Sequence, residues 1–197
     1  MLAVFLTALG CGCDLFRPAT PEPPAGGSLF IPNYNDVSAT LTTMKRSIEL
    51  RNQQGAYLDA LADSNSITGQ PFTVRLDPAD VAEVPAGTPI PIRWGKELER
   101  NFYSYVTTIA NDTVAFMNFQ SIPSQQDSTG ADMYFVHRTY TLFTGTAAGD
   151  TASRGIADLR IIRVGQQWRV LHWIDRRDPN ANPNLRTFGW YRLISGS

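Results

Sequence analysis

Four segments rich in β-branched and aromatic residues follow one another in the second half of the chain. They span residues 113–121, 132–144, 155–164 and 167–175. Such segments favour extended strands, and the Gly-Gln pair between the last two is typical of a short hairpin turn. We therefore expect these four segments to pair as one antiparallel sheet, which the first half of the chain has to cover.

Helical spacing dominates the first half of the chain. Apolar residues recur every three or four positions from residue 37 to residue 48, after Asp36 or Ser38 as the N-terminal cap. Tyr57, Leu58 and Leu61 mark a second short helix that is expected to end near residues 63–65, and the pattern returns at residues 94–106. These segments predict helices with one apolar face each.

The remaining stretches complete the predicted fold. Residues 72–76 alternate as a short strand, and residues 77–91, which contain four prolines, are expected to form a loop. Residues 187–194 are expected either to add an edge strand or to dock on the core. Helices followed by an antiparallel meander predict the α+β class, with N-terminal helices packed on one face of the sheet.

An apolar run at residues 2–9 ends at a glycine and a cysteine. The sequence Ala8-Leu9-Gly10-Cys11 resembles the end of a bacterial lipoprotein signal peptide, in which a small residue precedes a cysteine that is lipidated and becomes the N-terminus. The run is far shorter than the roughly 20 residues that span a bilayer. A secretory signal peptide that is cleaved without lipidation is the alternative.

This resemblance implies a domain organisation and a location. We expect a signal peptide at residues 1–10, a lipidated Cys11 with a proline-rich tether at residues 11–35, and a single domain at residues 36–197. Acyl chains such as palmitate would hold Cys11 in a membrane, because each buried CH₂ contributes about 0.8 kcal/mol and more than one chain is attached. The domain is then expected on the periplasmic face of a membrane in a bacterial cell envelope.

Composition argues against several kinds of site. A net charge of −1 argues against a nucleic-acid partner. Both cysteines, Cys11 and Cys13, lie in the signal region, so the domain lacks a thiol for a disulfide, a nucleophile or a zinc site. With two histidines in the chain, no metal site is expected. No cofactor is expected either, since no glycine-rich phosphate loop follows a strand.

Three stretches resemble the nuclear transport factor 2-like superfamily, which includes the polyketide-cyclase-like enzymes. They are RNQQ with YLDAL at 51–61, WGKELE at 94–99, and GQQWRV with WID at 165–175. The resemblance covers about residues 40–175. It implies a cone-like fold in which helices and a curved sheet enclose a pocket that members use for catalysis, for ligand binding or not at all. Such a fold leaves the function open.

His172 and His137 are the candidates for acid–base chemistry. Counting alternate positions places His172 on one strand face with Val170, so a hydrogen-bonded core histidine is the preferred interpretation and a general base the alternative. His137 has an equally apolar setting. If neighbouring strands align the two histidines, they could form a polar cluster in the pocket with Tyr57 or Tyr103.

Other charged and aromatic residues are weaker candidates. Asp158 is expected to form a cross-strand ion pair with Arg160 or Arg138 at the sheet surface. Aromatic and arginine residues are enriched at binding surfaces. The candidates for a pocket or an interface are Trp94, Tyr103, Trp168, Trp173, Arg176 and Arg177.

Together these observations predict a membrane-tethered, extracytoplasmic domain that binds and does not catalyse. It is expected to be an accessory domain, with a protein partner in a larger envelope complex or with a small apolar ligand. The rival hypothesis is a polyketide-cyclase-like isomerase or hydrolase that acts on a small apolar ligand in the cone pocket, with His137 and His172 as its acid–base residues.

Overall fold

The computed structural model describes residues 29–64, 69–109, 115–144 and 151–196. The described residues from Ile31 onward form one compact unit. The predicted signal peptide and Cys11 lie outside the described residues, as does the proline-rich stretch 18–27. Within the described ranges, no helix has both the length and the apolar character needed to cross a membrane.

The helices follow the predicted order, and their first cap is the expected one. The described helices are α1 (Val37–Leu50), α2 (Gln54–Asp59), α3 (Pro78–Glu83), α4 (Lys96–Ile109) and α5 (Phe188–Ser195). Asp36 precedes α1, and its Oδ1 accepts a hydrogen bond from the backbone N–H of Ala39 at 2.7 Å. This contact satisfies one of the free donors in the first turn.

The strands form one curved sheet, and the predicted α+β class is confirmed. The described strands are β1 (Thr73–Arg75), β2 (Ala115–Ser121), β3 (Ser128–Thr129), β4 (Met133–Thr144), β5 (Thr151–Val164) and β6 (Gln167–Arg176). Their order is β1-β6-β5-β4-β2, with β3 paired to β4. The four long strands pair antiparallel as predicted, and β1 adds a parallel edge to β6.

The helices cover one face of this sheet and enclose the main core with it. The largest wholly buried apolar side chains of this core come from four helices and three strands. They include Met44, Ile48, Tyr57, Phe102, Tyr140, Trp173 and Phe188. We call the opposite side of the sheet the open face.

Part of the predicted loop at residues 77–91 is helical. Asp77 caps α3, and its Oδ1 accepts a hydrogen bond from the N–H of Ala79 at 2.9 Å. Pro78 occupies the first helical position, where its missing N–H has no intrahelical partner to lose. The loop prediction is wrong here because Pro78 starts a helix and does not break one.

Of the two alternatives for residues 187–194, the structure has the docked segment and not the edge strand. Thr187 caps α5 by accepting a hydrogen bond from Trp190 N–H at 3.3 Å. Phe188 and Leu193 are fully buried against the core. The edge-strand alternative is therefore wrong.

A bulge in β6 at Leu171 decides which of its side chains face the helices. Arg160 of β5 lies opposite His172, whereas the next residue of β5 lies opposite Val170. The extra residue shifts the alternation, so Val170 and Trp173 both join the main core. The prediction that His172 shares a face with Val170 is wrong, because His172 faces the open side of the sheet.

The bulge makes Trp173, and not Trp168, the tryptophan of β6 on which stability depends. Trp173 is wholly buried, while Trp168 is half-buried with its ring edge against Tyr134. We expect Trp173→Ala to lower the free energy of unfolding by about 3 to 5 kcal/mol. Trp168→Ala should cost about 1 to 2 kcal/mol, since it buries less apolar area. Denaturant titration of both variants measures this order, and the reverse order would contradict the bulge.

Candidate functional site

A buried ion pair joins α4 to α5 in the interior. Arg192 Nε and Nη2 donate to Glu99 Oε2 and Oε1 at 2.9 and 2.8 Å, and both side chains are wholly buried. Glu99 also accepts hydrogen bonds from Tyr57 Oη at 2.7 Å and Trp94 Nε1 at 2.8 Å. Four donors thus surround one carboxylate, which offsets the cost of removing its charge from water.

A second buried carboxyl, that of Asp175, lies beside this pair at the end of β6. Its Oδ1 accepts a hydrogen bond from Tyr140 Oη at 2.6 Å, and its Oδ2 accepts one from the N–H of Gly189. Arg192 Nη1 is 3.7 Å from Oδ2. Burial raises the pKa of Asp175 to about 7, although Arg192 and Tyr140 oppose this rise. The carboxyl therefore keeps its proton until the pH approaches neutrality.

Side chains fill the space between α5 and the sheet. The ring of Phe188 stacks on Tyr140 at a centroid distance of 4.2 Å. The Arg192 guanidinium lies 4.5 Å from the centroid of the Trp173 indole and 4.7 Å from that of Phe102. Helix α5 thus occupies the region in which the sequence resemblance implies a pocket.

A cavity of about 490 Å³ lies between α1 and strands β2 and β4 at the edge of the helix-covered face. Another, of about 340 Å³, lies on the open face of the sheet, and we call it the open-face cavity. Strands β1, β4, β5 and β6 each contribute to it. Its lining residues are Thr73, Val74, Arg75, Phe135, His137, Asp158, Leu159, Arg160, His172, Trp173 and Ile174. Because paired strands form this surface, its polar side chains have fixed relative positions.

One wall of the open-face cavity carries a linked set of charged groups. His137 Nδ1 donates to Asp158 Oδ1 at 2.7 Å, and Arg176 Nη2 contacts Asp158 Oδ2 at 2.6 Å. The register places His137 directly opposite Asp158 across β4 and β5. Asp158 therefore fixes the orientation of the imidazole, and Nε2 is the ring nitrogen without that partner.

The second histidine lies on the β6 wall of the same cavity. His172 Nδ1 and Thr73 Oγ1 form a hydrogen bond across the parallel β1–β6 pair. Partial burial lowers the pKa of His172, and the nearby Arg160 guanidinium lowers it further. His172 is therefore mostly neutral near pH 7, and Arg75 and Arg160 contribute positive charge to the cavity.

The aromatic residues predicted for a pocket or interface lie mainly in the core. Trp94, Tyr103 and Trp173 are each 2 % exposed or less, and Trp168 is half-buried. Tyr57 and Tyr103 face the interior with ring centroids 5.1 Å apart. The predicted cluster of tyrosines with the two histidines is wrong, since the histidines lie on the opposite face of the sheet.

The predicted charged residues are divided between the cavity and its surroundings. The sequence suggested that Asp158 pairs with Arg160 or Arg138. In the structure Asp158 pairs with Arg176. Arg138 instead pairs with Asp127. Arg177 pairs with two carboxylates of α3, which lie outside the cavity lining. Of the two predicted arginines, Arg176 therefore borders the cavity.

Sequence reasoning missed the interior pair of Glu99 and Arg192. One signal was available, since Arg192 is the sole charged residue of the apolar helix α5. Its partner is 93 positions away in the sequence, and no local pattern connects the two.

Solved structures share this architecture at very low sequence identity. A protein of unknown function from Mycobacterium tuberculosis is 14% identical, with a TM-score of 0.53, over 81% of this chain and 83% of its own. A candidate scytalone dehydratase from Novosphingobium aromaticivorans is 8% identical, with a TM-score of 0.53, over 77% and 89%. A candidate association domain of calcium/calmodulin-dependent protein kinase type II from Thiobacillus denitrificans is 12% identical, with a TM-score of 0.50, over 74% and 97%.

The domain has the nuclear transport factor 2-like fold. This confirms the fold expected from the sequence resemblance. No protein-family model matches the sequence, and no curated protein matches it. At these identities the comparisons establish the fold of the domain and leave its ligand to be argued from its own residues.

The interior ion pair should make this nuclear transport factor 2-like domain sensitive to removal of one partner. Arg192→Met leaves the Glu99 carboxylate buried without its cation, and we expect a loss of about 3 to 5 kcal/mol in unfolding free energy. Glu99→Met combined with Arg192→Met should be more stable than Arg192→Met alone. Chemical denaturation measures both variants, and an additive loss in the double variant would refute the coupling.

The raised pKa of Asp175 predicts a pH dependence for this nuclear transport factor 2-like domain. Between about pH 4 and pH 7, the folded protein binds a proton that Asp175 has already released in the unfolded chain. This residue therefore makes the folded state less stable as the pH rises through that window. Asp175→Asn should be as stable as the wild type at pH 4 and more stable at pH 7.5. If instead the unfolding free energy of the wild type rises relative to that of Asp175→Asn as the pH increases, the buried carboxylate is ionised and the prediction is wrong.

Proposed function

We propose that this protein is a lipid-anchored, extracytoplasmic binding domain that presents the open face of its sheet to a ligand or partner. In this proposal the domain is not an enzyme, and it serves as an accessory or peripheral subunit at the membrane surface. The proposal combines an anchor suggested by the sequence with a binding surface suggested by the structure.

One observation carries the choice of the open face. Helix α5 fills the interior with Phe188 and Arg192, and the four donors on Glu99 leave that carboxylate no unsatisfied oxygen to offer a ligand. A ligand would have to displace a packed helix to enter the space beneath α5. The open-face cavity needs no such rearrangement, and Phe135 at its rim is 44% exposed.

The anchor is the second part of the proposal. Cys11 follows the apolar run and a small residue, and a proline-rich stretch separates it from the folded domain. Proline-rich sequences generally favour extended, hydrated conformations. A tether of this kind keeps an anchored domain at the membrane surface.

Membrane retention should depend on one of the two cysteines. We expect Cys11→Ser to release the protein from washed membranes, because the thioether to the acyl chains can no longer form. Cys13→Ser, two residues further on, is the matched control and should remain in the membrane fraction. Detergent phase partitioning of both variants measures this. Retention of Cys11→Ser would show that lipidation at this cysteine is wrong.

A second function is favoured by one specific observation. Both histidines line the open-face cavity, and Asp158 orients His137 as acidic partners do in acid–base sites. An isomerase or hydrolase acting on a small ligand is therefore the competing proposal. The candidate scytalone dehydratase of the same fold carries an enzyme name, and this similarity rests on fold alone.

Two exposed apolar residues offer a matched test of binding at the open face. Phe135 at the cavity and Leu50 at the end of α1 are 44% and 42% exposed. We expect Phe135→Ser to lose at least about tenfold of the affinity for whatever ligand mass spectrometry finds on the protein purified from its native membranes. Leu50→Ser should keep that affinity.

The same pair of variants separates the two proposals. Equal affinity in Phe135→Ser and Leu50→Ser would place the ligand elsewhere and overturn the binding proposal. If the wild type converts the ligand, and His137→Gln still binds the ligand but no longer converts it, the protein is an enzyme and the competing proposal holds.

A further inference from the structure

The charges of the open-face cavity do not balance. Its lining contains Arg75, Arg160 and one carboxylate, that of Asp158. Both oxygens of that carboxylate are already engaged, Oδ1 by His137 and Oδ2 by Arg176. Within the described part of the chain, neither lining arginine has a carboxylate partner. The cavity therefore has a surplus of positive charge.

The Arg160 side chain is held in place, while its outer nitrogens pair with no carboxylate among the residues that the structure describes. Its Nε donates to Met133 Sδ at 3.0 Å, and its guanidinium carbon lies 5.9 Å from the centroid of the Phe135 ring. The neighbouring strand holds His172 directly opposite it. An arginine fixed at Nε can offer its two Nη groups as a fork, the geometry that matches a carboxylate.

The cavity also has apolar walls. Phe135 and Ile174 stand beside the cationic groups, and Val74 belongs to the short edge strand of the lining. A volume of about 340 Å³ is at the lower end of the range for small-molecule sites. A ligand that suits both features has one negative head and a small apolar body.

We propose that the open-face cavity binds a small organic acid, through a carboxylate on Arg160 and an aryl or alkyl group on Phe135 and Ile174. This assignment rests on the proposed function, because it names the ligand class for the same face. A phosphate ester fits less well, because its dianion requires more hydrogen-bond donors than this cavity supplies. The donors are the fork of Arg160 and a second arginine, Arg75, on the edge strand.

The two histidines of the chain make the test direct, because both line this cavity. In the full-length protein labelled with ¹³C-histidine and solubilised in detergent, each ring gives one reporter signal. We expect 3-phenylpropanoate to shift both signals saturably. The neutral 3-phenylpropan-1-ol has the same apolar body, and it should bind at least about tenfold more weakly. Inorganic phosphate should not compete at equal concentration.

A matched pair of arginine variants assigns the anion contact. Arg160→Gln should weaken the binding of 3-phenylpropanoate by about ten- to a hundredfold. Arg163 lies on the same strand, is exposed and is outside the lining, so Arg163→Gln should bind as the wild type does. Arg75→Gln, at an exposed position of the edge strand, should weaken binding to a lesser degree and provides a second variant should Arg160→Gln not fold.

Each other outcome overturns the assignment in a distinct way. Equal affinity for the alcohol and the acid would show that the site does not recognise a carboxylate. If phosphate competes as strongly as 3-phenylpropanoate, the apolar part of the ligand contributes nothing to binding. Absence of saturable shifts with all three probes would refute a small-acid site. In every such case the binding proposal itself stands or falls separately, by the comparison of Phe135→Ser with Leu50→Ser.

Discussion

The buried contact between Arg192 and Glu99 is the interaction on which the interior of this domain depends. It brings together α4 and α5 and also fixes Tyr57 of α2 and Trp94 before α4. A guanidinium without this carboxylate could not remain among aromatic rings, because the cost of desolvating it would exceed the packing gained. Since Arg192 can stay, Phe188 and the rest of α5 can fill the space between helices and sheet. The same contact therefore explains why the space between α5 and the sheet is filled by side chains.

The composition of that opposite face depends on a single extra residue. The bulge at Leu171 directs Trp173 and Asp175 into the interior and His172 and Ile174 to the outside. Without it, the side chains of the second half of β6 would exchange faces, and His172 and Ile174 would face the core in place of Trp173 and Asp175. Bulges commonly redirect side chains near binding sites. In this domain one bulge completes both the interior network and the open-face cavity.

The sequence was sufficient for the class of the fold and for most of its elements. Strands with β-branched and aromatic residues and helices with apolar spacing were recognisable because both signals are local. The face on which His172 lies was not predictable, because counting alternate residues assumes a regular strand. A bulge leaves no clear mark in the sequence. The segment 187–194 has an apolar and aromatic composition that suits a strand and a helix equally. It became a helix because Thr187 caps it and because Arg192 finds Glu99, a partner 93 positions away. The open-face cavity was also out of reach, because it needs the register of four strands.

The position of α5 in the chain has a consequence for when the domain can fold. The core gains Phe188, Arg192 and Leu193 only after nearly every other element has been synthesised, and Glu99 has no cation until then. A partly synthesised chain thus contains Glu99 without its cation and an aromatic core that lacks Phe188. The core is therefore complete only once α5 is available. In an exported protein, which the proposed anchor implies, this order favours a chain that is still unfolded during translocation.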